Sequence, residues 1–246
     1  MHRKVQLFAT CLGENFQPRV LRQMVRILER LGIDVEFPEG QTCCGQPLYN
    51  TGFQHETRRV ARHFLNTFAD SDLPLVAPSG SCVDMVRHHY ASLFPEGSPE
   101  GTVAREVASR TFEFSEFLVN HLEIVDVGAT FLHRVTYHAS CHLLRGLGLR
   151  QPAKQLLQAV RGLELVPLQG EESCCGFGGT FSVIYPEVSE AMMRRKVEAI
   201  IASSADAVVA GDAGCVMNIA GGLRRAGSNM RALHLIEVLA GEDSVP

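Results

Sequence analysis

The chain has 246 residues, of which 46% are hydrophobic and 20% are charged, so it can bury one large core or two ordinary ones. Its net charge of -4 provides no basic excess for nucleic acid or for an anionic membrane surface. The basic start, Met1 to Lys4, precedes an apolar stretch too short for a secretory signal, and we find no uncharged apolar run long enough to span a bilayer. These features predict a cytoplasmic protein that neither binds nucleic acid nor inserts into a membrane.

The first half of the chain alternates short β-branched or apolar runs with longer amphipathic ones, which is the pattern of α/β units. Strands are predicted at residues 5–10, 35–37 and 73–78, and helices at 18–31, 55–68 and about 82–90. A segment rich in Pro, Gly and Glu, residues 92–102, is expected to form a surface loop. The first half ends with Phe112-Glu113-Phe114, which residues 115–122 follow.

The second half repeats this order of elements. Its predicted elements lie at 135–138, 153–160, 163–167, 186–203 and 207–210, and it closes with 232–234 before 235–239. The linker between the halves is placed near 125–132, and the basic run Arg194-Arg195-Lys196 is expected to be a solvated helix face. We therefore predict an α/β protein of two modules, 1–127 and 128–246, each a small, mainly parallel sheet flanked by helices.

The eight cysteines follow the same repeat. The first set is Cys11, Cys43, Cys44 and Cys82, and the second set is Cys141, Cys174, Cys175 and Cys215. Each cysteine of the second set follows its counterpart by 130 to 133 residues, and a glycine follows each adjacent pair. A near-constant offset at four positions indicates one module written twice.

In each module the cysteines fall where predicted strands end, and the carboxyl ends of parallel strands share one edge of the sheet. Four thiolates are a full ligand set for a [4Fe-4S] cluster or a tetrahedral zinc, which predicts one metal site per module. The adjacent cysteines must lie on turns if both sulfurs face one metal, and the glycine that follows them allows such a turn. Helices that begin just after Cys82 and Cys215 would direct their positive ends at an anionic cluster.

Other uses of the cysteines compete with this interpretation. Four disulfides are typical of small secreted domains, whereas this chain is large and carries no export signal. Buried free cysteines are common singly, but the repeated four-cysteine pattern argues against them. Zinc remains open beside iron and sulfur, although structural zinc sites usually use close pairs such as Cys-x2-Cys, and the long gaps here favour a cluster.

The two patterns Cys-x31-Cys-Cys-Gly-x36-Cys and Cys-x32-Cys-Cys-Gly-x38-Cys resemble the tandem cysteine-rich CCG domains of the heterodisulfide reductase B-subunit superfamily. More closely, the whole chain resembles the lactate utilization protein A family. The segments that carry this resemblance are Cys11-Leu12, 42–47, 78–82, Tyr137-His138, Ser140-Cys141-His142, 174–181 and 211–215.

This resemblance implies an iron-sulfur electron-transfer subunit of a multi-protein system that oxidises L-lactate to pyruvate. Its partners would be two proteins of the same operon, one of them a ferredoxin-like iron-sulfur protein, and the subunit need not be active alone. The fullest form of the motif carries a fifth cysteine, whose place is taken here by Ser79 and Asp212. The resemblance therefore implies an ordinary four-thiolate [4Fe-4S] cluster, one per module at most, with zinc possible in one module. Either oxygen-bearing side chain could ligate iron or hydrogen-bond a cluster sulfur.

Three residues flank Cys141 without counterparts beside Cys11: His138, His142 and Arg145. They could tune the charge and hydrogen bonding of the second cluster or receive a proton or a substrate carboxylate, and ordinary packing around the site explains them equally well. Two other functions stay open. One is a heterodisulfide or thiol-disulfide reductase in which a cluster acts on the disulfide, and the other is a non-redox module whose fold is held by zinc.

Overall fold

The computed structural model describes residues 4–241, so the basic start at Met1 to Arg3 and residues 242–246 lie outside the described residues. The first half contains strands β1 (Lys4–Leu7), β2 (Asp34–Glu36), β3 (Leu75–Ala77) and β4 (Thr111–Glu113). The second half contains β5 (Arg134–His138), β6 (Glu164–Val166), β7 (Ala207–Ala210) and β8 (Arg231–His234). The strands form two parallel sheets, ordered β2-β1-β3-β4 and β6-β5-β7-β8, which confirms the predicted α/β fold of two repeated modules.

Helices connect the strands of both sheets. The first half contains α1 (Cys11–Phe16), α2 (Pro18–Arg30), α3 (Gln46–Asn50), α4 (Gln54–Phe68), α5 (Gly80–Asp84), α6 (Pro99–Ser109) and α7 (Phe114–Glu116), with wider helical turns at Met85–His89 and Phe117–His121. The second half contains a wide turn at His142–Gly146, then α8 (Pro152–Ala159), α9 (Phe181–Ile184), α10 (Pro186–Ala202), α11 (Ala213–Arg225) and α12 (Leu235–Ala240). Proline begins four of the longer helices, where its missing N–H and fixed φ do no harm. Within residues 4–241, no helix combines the length and apolarity that crossing a bilayer requires.

The structure corrects three of the local predictions. The loop predicted at 92–102 is wrong in its last part, because Ser98 caps the amide of Gly101 and begins α6. The helices α5 and α11 begin two residues before Cys82 and Cys215, not after them. Lys196 is not on a solvated face, since only 2% of its surface is exposed.

The two halves share one hydrophobic core. The largest buried cluster draws side chains from β1, α2, β5, α8 and α12, and it includes Val5, Leu7, Met24, Val135, Leu156 and Ile236. Two smaller clusters lie apart from it, one formed by the first half around Phe8 and Phe64 and one by the second half around Val208 and Ile219. Because adjacent strand residues point to opposite faces, each sheet contributes one face to the shared core and one to its own cluster.

Buried polar side chains also join the halves. His234, at the end of β8, donates from Nε2 to the carbonyl oxygen of Pro78 at 3.1 Å, and its Nδ1 accepts from the amide of Ile236 at 3.2 Å. Both ring nitrogens are thereby used by a neutral imidazole. Burial lowers the pKa of His234 to about 4 from its ordinary value of 6.5.

This lowered pKa predicts a loss of stability in acid. Between pH 6.5 and pH 4 the unfolded chain binds a proton at His234 that the folded protein does not, so stability falls as the pH falls through this range. At pH 5 the expected loss from this residue is about 2 kcal/mol. We would measure urea unfolding of the metal-free protein and of His234→Gln at pH 7.5 and pH 5. Equal pH dependence of the two proteins would contradict the prediction.

Candidate metal centre

All eight cysteines lie just beyond the carboxyl ends of strands, at equivalent places in the two halves. In the first half Cys11 begins α1, Cys43 and Cys44 lie on the loop after β2, and Cys82 is the third residue of α5. The second half places Cys141, Cys174, Cys175 and Cys215 in the same way after β5, β6 and β7. In the order β2-β1-β3-β4 the chain reverses its direction across the sheet between β1 and β3, which is where open parallel sheets form ligand crevices.

Each half brings its cysteines together as free thiols. The sulfurs of Cys11 and Cys43 are 3.6 Å apart in the first half, and those of Cys175 and Cys215 are 3.3 Å apart in the second. All eight cysteines fall within the described residues, and none of them forms a disulfide. The structure therefore contains two groups of four neighbouring thiols, which we call the first and second cysteine groups.

The turn expected at each adjacent pair is present. Gly45 and Gly176 adopt positive φ angles of 81° and 88°, which L-residues with a side chain rarely adopt. The amide of Gly45 donates to Sγ of Cys43 at 3.4 Å, and the amide of Gly176 donates to Sγ of Cys174 at 3.3 Å. The glycine thus reverses the chain and also directs a backbone donor at the preceding thiol.

The neighbouring thiols change one another's protonation. Hydrogen bonds from Cys11 and then Cys44 lower the pKa of Cys43 to about 3, and a hydrogen bond from Cys141 has the same effect on Cys174, whose pKa falls to about 2. The hydrogen bond to Cys43 in turn raises the pKa of Cys11 well above its ordinary value. A hydrogen bond from Cys175 also lowers the pKa of Cys215, so the second group favours two thiolates and the first group one, whereas four in either group require a cation to offset their charge.

In each Cys-Cys pair, the carbonyl oxygen of the second cysteine accepts a hydrogen bond from a side chain, and this side chain differs between the two halves. The hydroxyl of Tyr90 donates to the carbonyl oxygen of Cys44 at 2.9 Å, and the side-chain amide of Asn218 donates to that of Cys175 at 2.8 Å. Tyr90 is fully buried, and this bond gives its hydroxyl the partner that a buried hydroxyl needs. These contacts keep the cysteine loops in place without a bound ligand.

Both cysteine groups face one cavity of about 420 Å³ between the halves. Besides the cysteines, its lining includes Gln46, Ser79, Ser81, His142, Phe177 and Asp212. A small molecule in this cavity would reach both groups at once. The geometry therefore joins two metal-binding candidates into one site.

Ser79 and Asp212, which stand where a fifth cysteine would be, hydrogen-bond to each other across the two halves. The Ser79 hydroxyl donates to Oδ1 of Asp212 at 2.9 Å, the Ser81 hydroxyl donates to the same oxygen at 2.9 Å, and the Ser81 amide donates to Oδ2 at 3.1 Å. Burial, and then the nearby Cys215, raise the pKa of Asp212 to about 6. These hydrogen bonds thus join the two halves at the cavity that the cysteines line.

Two buried polar groups beside the second cysteine group have no oxygen or nitrogen partner within the part of the chain that the structure describes. These are the ring of His138 and the hydroxyl of Ser140, and both act on the thiol of Cys215, whose pKa they lower. A nitrogen of His138 and the sulfurs of Cys175 and Cys215 all lie within 4.8 Å of one another. Because an unpaired buried polar group costs several kcal/mol, these donors fit a site that is completed by a metal or cluster.

The structure brings most of the predicted site residues together, with one exception. His142 lines the cavity, accepts from the side-chain amide of Gln46 at 3.2 Å and has its Nδ1 3.7 Å from Sγ of Cys141. Arg145 does not line the cavity, and its guanidinium donates to the carbonyl oxygen of Glu172 at 2.9 Å. The candidate site therefore holds His142 but not Arg145.

Sequence reasoning missed four residues that shape the site: Gln46, Tyr90, Asn218 and Lys196. A comparison of the two halves would have indicated Gln46, because this polar residue follows the first Cys-Cys-Gly whereas Phe177 follows the second. Of the other three, Lys196 and Asn218 lie on helices and Tyr90 follows the wide turn Met85–His89, and none of them has a local sequence signal. Their roles depend on how the helices pack around the cysteine loops.

Comparisons with known proteins agree with the repeat. The family model of the CCG cysteine-rich domain matches residues 5–87 and 135–220. A solved structure, described as a hypothetical protein from Helicobacter pylori, superposes with a TM-score of 0.70 at 12% identity. It covers 96% of this chain, which spans only 48% of that structure's length, and at this identity the likeness concerns the fold alone.

Curated relatives match over nearly the whole chain. Lactate utilization protein A of Bacillus subtilis (strain 168) is 45% identical over 236 residues, which is 96% of this chain and 98% of the relative. Lactate utilization protein A of Halalkalibacterium halodurans is 46% identical over 236 residues, covering 96% of both chains. The chain belongs to the lactate utilization protein A family, with a CCG cysteine-rich domain in each half.

Proposed function

We propose that this protein is an iron-sulfur electron-transfer subunit of a multi-protein system that oxidises L-lactate to pyruvate. The observation that carries the proposal is the pair of four-thiol groups on one cavity, each with the ligand count of a [4Fe-4S] cluster. The first cluster would be held by Cys11, Cys43, Cys44 and Cys82, and the second by Cys141, Cys174, Cys175 and Cys215. A bound cluster would supply one-electron chemistry.

The surroundings of the thiols support a cluster in preference to an empty or purely structural site. The amides of Gly45 and Gly176 already point at cysteine sulfurs, and such N–H···S bonds stabilise the negative charge of a thiolate-bound cluster. The imidazole of His138 can add one further N–H donor to the second group. The same imidazole would also suit a zinc ion with mixed cysteine and histidine ligands, so zinc in that half is the competing outcome.

The relatives support the place of the protein in lactate oxidation. Their name, lactate utilization protein A, implies companions in the same process. We infer that this subunit acts with two partners, one of them a ferredoxin-like iron-sulfur protein. Electrons from lactate would pass through the clusters to an acceptor on a partner subunit, and the protein would act in the cytoplasm.

A second candidate function is reduction of a small disulfide. The cavity of about 420 Å³ favours it, because both cysteine groups face that space and a bound disulfide would reach both. This function requires turnover of a disulfide substrate by the cluster-loaded protein. Electron transfer from lactate requires none, which separates the two candidates.

The proposal is tested by anaerobic purification of the full chain, followed by analysis of iron, acid-labile sulfide and zinc and by electron paramagnetic resonance after reduction. We expect about four irons and four sulfides per occupied half. With the partner subunits added, lactate should reduce the clusters. Stoichiometric zinc without sulfide, even after anaerobic reconstitution with iron and sulfide, would overturn the proposal in favour of a structural metal.

A further inference from the structure

The two cysteine groups differ in one buried residue at the end of the first strand of each half. Lys4 pairs with Asp34 in the first sheet as Arg134 pairs with Glu164 in the second, so Phe8 and His138 occupy equivalent positions. Both side chains are fully buried. The first half thus has an apolar ring where the second has an imidazole.

The surroundings of these two rings differ accordingly. Phe8 packs edge-on against Phe64, with ring centroids 4.9 Å apart, inside the hydrophobic cluster of the first half. His138 instead lies beside Cys175 and Cys215, lowers the pKa of Cys215, and has no oxygen or nitrogen partner in the described residues. The imidazole is therefore placed to donate an N–H to a cysteine sulfur or to a cluster bound there.

A second difference between the halves is a buried positive charge beside the second cysteine group. Lys196 is buried, donates to the carbonyl oxygens of Gly170 at 2.6 Å and Glu171 at 3.2 Å, and interacts electrostatically with the thiols of that group. In the first half His63 makes the corresponding bond, to Gly40 at 2.7 Å. His63 is exposed, so the first group has no equivalent buried cation there.

One buried group acts in the opposite direction. The Asp212 carboxylate lies near Cys215 and would disfavour extra negative charge on the second group. Its oxygens, however, accept three hydrogen bonds from Ser79 and Ser81 of the first half, which offset its charge. The charge of Lys196 is partly offset as well, by the two carbonyl oxygens that it binds and by the nearby Glu171, whereas the His138 ring has no oxygen or nitrogen partner in the described residues.

We propose that His138, together with Lys196, gives the second cysteine group the higher reduction potential of the two. The inference rests on the proposed function, since it requires a cluster in each group. Donors and cations beside a cluster stabilise its reduced, more negative form and so raise its potential. One electron would then pass from the reduced first cluster, which is oxidised, to the oxidised second cluster, which is reduced, and would stay there until a partner accepts it.

The test is a redox titration of the anaerobic protein with dithionite, followed by electron paramagnetic resonance. Cys44→Ser and Cys175→Ser each lack one cluster and assign the two signals. In the unsubstituted protein, the signal of the second group should have the higher midpoint. His138→Phe, which copies the first half, should shift that midpoint downward and leave the other unchanged, whereas His138→Gln keeps an N–H donor and should restore part of the shift.

Iron and sulfide are measured first, so that two failures can be told apart. Absence of both from the unsubstituted protein contradicts the proposed function, whereas two loaded clusters with equal or reversed midpoints overturn only the present inference. An unchanged midpoint in loaded His138→Phe overturns it as well. If that variant fails to bind its second cluster, Lys196→Met should lower the same midpoint while His63→Met leaves it unchanged, and no shift in Lys196→Met overturns the inference.

Discussion

Replacing Cys175 with serine is expected to halve the iron and sulfide of the protein, from about eight of each to about four. Cys175 is buried, and its sulfur is 3.3 Å from that of Cys215, so it lies at the centre of the second group. A serine hydroxyl is a poor replacement for a thiolate that ligates iron. Iron and sulfide analysis of the anaerobically reconstituted variant measures this effect.

The matched control is Cys44→Ser, at the equivalent position of the first group. It should lose the same amount of iron but abolish the other resonance signal, and the double variant should lose both. Full iron content in Cys175→Ser would show that this cysteine is not a ligand. A loss of all iron in either single variant would show that the two clusters assemble only together.

Gly176→Ala is expected to destabilise the metal-free protein by about 3 kcal/mol and to prevent formation of the second cluster. Gly176 has a φ of 88°, and an added Cβ would lie 2.5 Å from the carbonyl oxygen of Ser189 and 3.2 Å from the amide of Met193. Both contacts are with the backbone of α10, which cannot move aside without a large cost in free energy. The measurement is urea unfolding of the reduced, metal-free protein, together with iron analysis after reconstitution.

Gly45→Ala separates backbone strain from the steric clash. Gly45 has a similar φ of 81°, but its added Cβ would meet only side-chain atoms, the nearest being Cγ1 of Val60 at 3.4 Å. This variant should therefore lose about 1 to 2 kcal/mol, the cost of the left-handed conformation alone. Equal losses in the two variants would contradict the role assigned to the helix backbone near Gly176.

Much of the fold could be predicted from sequence because its signals are local and repeated. The alternation of apolar runs and amphipathic helices places β1, β3, β5 and β7 close to where they are observed. Cysteines that follow these strands must converge, since parallel strands end at one edge of a sheet. The turn at each Cys-Cys-Gly follows from the need of two neighbouring sulfurs to face the same way.

The parts that could not be predicted depend on how distant segments pack. The bond between Ser79 and Asp212 links residues far apart in the chain, and nothing in either segment indicates the other. Lys196 belongs to a charged run that is typical of solvent-exposed helices, yet two carbonyl groups bind its ammonium in the interior. Helix α6 was missed because the Pro- and Gly-rich stretch before it extends into its first turn.

The contact between Ser79 and Asp212 has a consequence for the ancestry of the molecule. An ancestral single module that associated with a second copy of itself would place the same residue on both sides of this junction. Two aspartates there would repel each other, and two serines would lack the carboxylate that now accepts three hydrogen bonds. In the present chain each side of the junction is complementary to the other and not to itself, which favours two different halves in one polypeptide over association of two identical ones.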